Sequence, residues 1–107
     1  MASIGGMGNI LKQAQEMQAR MAKIQEDLAT KTVQGSSGGG MVQVTVNGQF
    51  NLTAVKIDAA AINADEKEML EDLILTAVND GMRKARELAS AEMAKLTGGL
   101  KIPGLMP

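Results

Sequence analysis

The stretch MVQVTVNGQFNLTAVKID (residues 41–58) decides how this chain folds. Val42, Val44 and Val46 alternate with polar residues, the period-two signature of a strand with one buried face. Asn47-Gly48 marks a turn, and a second extended run follows to Ile57, so the segment reads as a β-hairpin. A two-residue turn on Asn47-Gly48 sets Val46 opposite Gln49 and Val44 opposite Asn51, apolar against polar. A three-residue loop instead sets the Val42/Val44 face against the Phe50/Leu52 face, with Gly48 at a positive-φ bulge position, and is the better solution. The apolar parity then changes, because Val55 and Ile57 point opposite to Phe50 and Leu52. Either a bulge lies near Thr53-Ala54 or the end of the strand buries its other face.

On the N-terminal side, Met7, Ile10, Ala14, Met17, Met21, Ile24 and Leu28 fall at alternating spacings of three and four, which predicts a helix over 7–31. The seam is either a core stripe packed on the rest of the chain or a coiled-coil contact. KTVQGSSGGG follows; Thr32 and Val33 suit a short strand and SSGGG a turn. The glycines do not form a phosphate cradle, which requires a Gly-Lys-Ser/Thr ending and an immediate helix; a strand follows here. On the C-terminal side, AAAINA (59–64) connects to a second helix ending near Leu96. Asn63 with Glu66, or Asp65 with Glu68, has capping-box spacing. Its apolar face carries Leu70, Leu73, Ile74, Ala77, Gly81, Ala85, Leu88 and Ala89, and its small residues suit close approach of another helix. In TGGLKIPGLMP the glycines stop the helix and two prolines prevent another. The expected architecture is α+β: α-β-β-β-α, one domain over 1–107, with mobile tails at 1–6 and 97–107. Strands of about 26 Å are shorter than either helix, so both helices project past the sheet.

Composition restricts the function. The chain has no His, Cys, Tyr or Trp, and Phe50 is the sole aromatic. The commonest general base, metal ligand and nucleophile are therefore unavailable, and the acids cluster in DEKEMLED at a helix start, where the macrodipole favours them. The expectation is a protein that is not an enzyme and uses no metal, cofactor or small-molecule substrate. A core with one ring is thin, which points to a homodimer. No run approaches the roughly 18 apolar residues of a membrane span, and a cytoplasmic location without membrane partners is expected.

The segments MGNILKQAQEMQARMAKIQEDLA, GGGMVQVTVNGQ, VKIDAAAI, EKEMLEDLILTAVNDGMRKA and LTGGLKIPGL, in that order, closely resemble the YbaB/EbfC family of bacterial nucleoid-associated proteins. The resemblance covers almost the whole chain. It implies a three-stranded antiparallel sheet with long flanking helices, a tweezer-shaped homodimer, and duplex DNA binding of low sequence preference in the nucleoid, with effects on nucleoid organisation and gene expression. Under that reading the sheet is a platform that seats two helices and mates with its twin.

Charge gives partial support. The net charge is −1, unlike a typical nucleic-acid binder. Its distribution is uneven: residues 65–80 carry six acids against Lys67, whereas residues 81–101 carry Arg83, Lys84, Arg86, Lys95 and Lys101 against Glu87 and Glu92. Basic residues late in a helix also suit its dipole or a plain solvated face. The candidate DNA-binding residues are Arg83 and Arg86, which share a face with Asn79 and Ser90, flanked by Lys84 and Lys95. Lys12, Arg20 and Lys23 on the first helix are the other set. Contacts from these cations are expected to be mainly to phosphates, salt-dependent and nearly sequence-blind. The rival reading is a dimeric adaptor docking a protein through the Met-rich seam or the apolar LKIPGLM tail.

Overall fold

The computed structural model describes residues 2–97 and runs α1 (Ala2–Thr30), β1 (Thr32–Ser37), β2 (Val42–Asn47), β3 (Leu52–Ile57) and α2 (Lys67–Thr97). The strands form one antiparallel sheet in the order β1-β2-β3. This is the predicted α-β-β-β-α order. β1 extends through Ser36 and Ser37, beyond the short strand expected at Thr32-Val33, and the turn is confined to Gly38–Gly40, all at positive φ. Asn63 caps a short 3-10 turn, accepting from the Asp65 N–H at 3.0 Å, just before α2. The C-terminal tail from Gly98 onward, with its glycine stop and prolines, lies outside the described residues.

The β2–β3 loop has three residues, as the pattern of faces requires. The Asn47 N–H donates to Asn51 O at 2.9 Å and the Phe50 N–H to Asn47 O at 3.0 Å. The positive φ falls on Phe50 (67°), however, and not on Gly48. A left-handed conformation costs a non-glycine residue about 1 kcal/mol, and Gly48 is needed for a different reason. Its N–H donates to both Leu28 O and Lys31 O, at 2.9 and 3.0 Å, and a Cβ there would sit 2.9 Å from the Leu28 carbonyl. The turn is thus pressed against the end of α1. Buried Asn47 organises it: the side-chain oxygen accepts from the Gln49 and Asn51 N–H groups, and the amide donates to Ala29 O.

Of the two explanations for the parity change, the bulge is the right one. Thr45 pairs with Ala54 but Val46 with Leu52, leaving Thr53 extra. Val44 then faces Val55 and Val42 faces Ile57, so Leu52, Val55 and Ile57 of β3 share the face of Val42, Val44 and Val46.

That face seats α2. Val42, Val44 and Val46 are fully buried with Ala77 and Ala85, and Leu70, Leu73, Ile74, Val78 and Met82 pack around them. Ala77, Gly81 and Ala85 on α2 serve a helix–sheet approach, and of the small residues expected to meet another helix only Ala89 packs against α1. The reason for the close approach is Gly35 on β1, directly beneath Gly81: a Cβ on Gly35 would strike the Ala77 carbonyl and the Gly81 backbone.

A single helix lies on the sheet, which corrects the picture of a platform seating two. α1 is held only by its C-terminal third. Ile24 and Leu28 pack with Leu96, Leu88, Ala89 and Met93, with Met17 at the edge. The two helices run antiparallel there: Lys31 meets Glu92, and further back Ala19 and Arg20 lie beside Leu96. Beyond that, the seam is open, with Met7 and Ile10 each 64% exposed. The core-stripe reading of the seam holds for its last third alone. The molecule measures 78 × 26 × 16 Å with a radius of gyration of 20.8 Å, against about 13 Å for a compact chain of this length.

Candidate nucleic-acid interface

The basic residues separate into those held by the fold and those free of it. On the outer edge of β1, the Ser36 N–H donates to Asp80 at 3.1 Å and the Gln34 carbonyl accepts from Lys84 at 3.1 Å. Asp80 also pairs with Arg83 at 3.0 Å and with Lys84 at 3.2 Å, and Arg83 reaches on to Glu87 at 2.8 Å. These α2 side chains therefore cap the backbone of an edge strand that would otherwise be open to pairing. The Ser36 N–H, then Arg83 and Lys84, hold the Asp80 carboxyl down at about 2. Its hydrogen bonds to Asp80 likewise raise the Arg83 guanidinium above its usual value.

This arrangement predicts an acid-sensitive clasp. A carboxylate depressed in the fold contributes stability above its unfolded value near 3.9 and loses it as pH falls toward the folded value. Denaturant unfolding at a series of pH values is expected to show stability declining from about pH 4 down to about pH 2. Asp80→Asn should be less stable than the parent at pH 7 and show a shallower decline over that window. An unchanged slope in the variant would remove Asp80 from the account. Glu92 acts in the same direction: it is 6% exposed and held below its usual value by hydrogen bonds from Lys31 and then Lys95.

Around the helix axis, Arg86 and Lys95 are nine residues apart, half a turn out of phase at 3.6 residues per turn. They cannot share a face. Lys95 instead joins α1: Arg20, Lys23 and Lys95 surround a groove of about 350 Å³ whose other walls are Ala19, Ile24 and Leu96. Lys23 pairs loosely with Asp27 at 3.3 Å and Lys95 with Glu92 at 3.2 Å. Arg83, Arg86 and Ser90 do share the outer face of α2, as the spacing predicts, but with Glu87 among them. Lys12 lies on the projecting part of α1 and is exposed. Among the described residues, Lys12, Arg20, Lys56 and Arg86 are the cations with no ion pair. Sequence reasoning placed all seven candidates on the right helices. It missed the capping of β1, for which the only signal was the Asp80/Arg83/Lys84/Glu87 spacing, and it missed that α1 and α2 share one basic groove.

Two further observations bear on function. Among the described residues, there is no cluster of three or more His, Cys, Asp or Glu that would hold a metal ion, and no helix is long and apolar enough to cross a membrane. The helix-facing side of β3 is uncovered: Leu52 and Val55 are 43% and 48% exposed. The Asp80/Lys84 flank of α2 faces the free edge of β1, so the opposite flank, with Leu75 at 60% exposure, faces β3.

A sheet with one seated helix, one projecting helix and basic residues along both defines a small scaffold with a charged outer rim. The chain belongs to the YbaB/EbfC DNA-binding family, whose sequence profile matches residues 4–100. It is 54% identical over 92% of its length to the nucleoid-associated protein DP1429 of Desulfotalea psychrophila, covering 93% of that protein. It is 50% identical to the nucleoid-associated protein TTE0040 of Caldanaerobacter subterraneus subsp. tengcongensis, covering 92% of this chain and 89% of that one. The crystal structure of the uncharacterised protein HP0035 from Helicobacter pylori has the same fold, with a TM-score of 0.71 at 26% identity, over 86% of this chain and 94% of that one.

Proposed function

We propose that this protein is a nucleoid-associated homodimer that holds duplex DNA through phosphate contacts, with little sequence preference. The observation that carries the reading is the groove where Arg20 and Lys23 of α1 meet Lys95 of α2, in a chain of a DNA-binding family. Cations spread along projecting helices suit an extended polyanion, and no aromatic is there to stack on a base. Within this reading Arg20, Lys23 and Lys95 make the principal contacts and Lys12 a peripheral one. Arg83 and Lys84 serve the β1 edge first, and Arg86 lies on the outer face of α2 beside Glu87. The apolar strip of Leu52, Val55 and Leu75 supports dimerisation, because a second copy of the chain supplies the missing cover. In the cell, such binding would act in the nucleoid on its organisation and on gene expression.

The test is a titration against random-sequence duplex at low and high salt, with the protein mass measured by sedimentation in the same buffers. Expected are a dimer and an affinity that falls steeply with salt while differing little between sequences. Binding that survives high salt, or a folded monomer at micromolar concentration, would overturn the corresponding half of the proposal.

A further inference from the structure

We propose that Met17 and Met93 are a modification site for peroxide, an oxidation-sensitive latch between α1 and α2. The sequence directs oxidants to sulfur. With no Cys, His, Tyr or Trp in the chain, methionine is its most readily oxidised side chain. Position then separates the methionines. Met7, Met21 and Met69 are exposed, so a sulfoxide there stays in water. Met82 borders the sheet core, whose buried centre is Val42, Val44, Val46, Ala77 and Ala85. Met17 and Met93 are half-buried, one on each helix, at the rim of the small cluster formed by Ile24, Leu28 and Leu96. Ahead of Gln25, where the hydrogen bonds to the β2–β3 loop begin, that cluster holds α1 against α2. Ile24 and Leu96 are also walls of the basic groove. Whatever loosens the cluster therefore moves Arg20 and Lys23 away from Lys95.

The reaction needs only the oxidant. The thioether sulfur attacks one oxygen of hydrogen peroxide, an S–O bond forms, the O–O bond breaks and water leaves. Sulfur gives up two electrons and the peroxide takes them. The product is a polar, chiral sulfoxide at a rim shared with Leu88 and Ala89, where a thioether packs well and an unpaired polar oxygen does not. Half-burial serves both needs: a small oxidant reaches the sulfur, and the packing still depends on it. The consequence for DNA rests on the groove reading above; the loosening of α1 does not.

The full-length protein is treated with hydrogen peroxide until peptide mass spectrometry shows oxygen on Met17 and Met93. Amide exchange over residues 17–24 is expected to speed up by about tenfold. Affinity for random-sequence duplex at about 0.1 M salt should fall to a similar extent. Methionine sulfoxide reductases for the two epimers should reverse both changes. Met17→Leu with Met93→Leu conserves volume and should keep slow exchange after the same treatment, although its exposed methionines are oxidised. Met17→Gln with Met93→Gln should give fast exchange without peroxide. Sulfoxide at both positions with exchange unchanged overturns the proposal. So does resistance of Met17 and Met93 while Met7, Met21 and Met69 are fully converted. Equal acceleration in the leucine variant also overturns it, by assigning the effect to another methionine. Faster exchange with unchanged DNA affinity would uphold the latch and count against the groove as the DNA site.

Discussion

Gly35→Ala is expected to be the most damaging single substitution in the sheet. The added methyl would meet the Ala77 carbonyl and the Gly81 backbone, neither of which can rotate away. Overpacking against flexible side chains typically costs about 1–3 kcal/mol; here α2 must lift off β1, and a loss of about 3 kcal/mol or more is expected. In a domain of this size that lowers Tm by roughly 12 °C or more. The displaced helix also uncovers Val44 and Val46, which lie against Gly81 from the other side. Gly8→Ala is the control: it lies within α1 with nothing inside 4 Å of the new methyl. That change should stabilise slightly, since glycine in a helix costs about 1 kcal/mol relative to alanine. Thermal unfolding of both variants checks the contrast, and a Gly35→Ala protein that melts like the parent would show that α2 is not seated as described.

How much of this was legible in the sequence depended on whether the signal was local. The hairpin loop length followed from matching apolar faces, and the order of elements from their periods. The parity change at Val55 was visible, yet a bulge and a two-sided strand produce the same pattern in one dimension. Only the pairing of Val46 with Leu52 separates them. Gly48 and Gly81 were both noticed and both given the wrong role, Gly48 a positive-φ position and Gly81 an approaching helix. Gly48 responds to the end of α1 and Gly81 to Val44 and Val46 of the sheet, contacts that join residues 20 or more apart in sequence. The charged residues show the same division. Arg83 beside Asp80 and Glu87 is an i,i+3 and i,i+4 pattern that a helix makes obvious. That Asp80 and Lys84 cap the backbone of β1 depends on where α2 crosses the sheet, which their spacing along the helix hints at but does not fix.

That division of the cations leads to the second large effect, which separates the groove from the outer face of α2. Arg20→Gln, Lys23→Gln and Lys95→Gln together leave helix propensity nearly unchanged. They should also cost little stability, because the paired members are exposed and Glu92 keeps its bond to Lys31. If each cation neutralises one phosphate, the dependence of log affinity on log salt flattens by about 0.9 per lost contact. With three contacts per protomer, affinity near 0.1 M salt is expected to fall by roughly 10² or more, equally for all sequences. Arg83→Gln with Lys84→Gln should behave in the opposite way. Removing both releases Asp80 and exposes the edge of β1, so stability falls while the salt slope barely moves. Arg86→Gln, half a turn from Lys95, should change the slope by less than one unit. The measurements are fluorescence titrations at several salt concentrations alongside denaturant unfolding of each variant. A groove variant that binds normally, paired with an Arg83/Lys84 variant that does not bind at all, would move the contact to the outer face of α2.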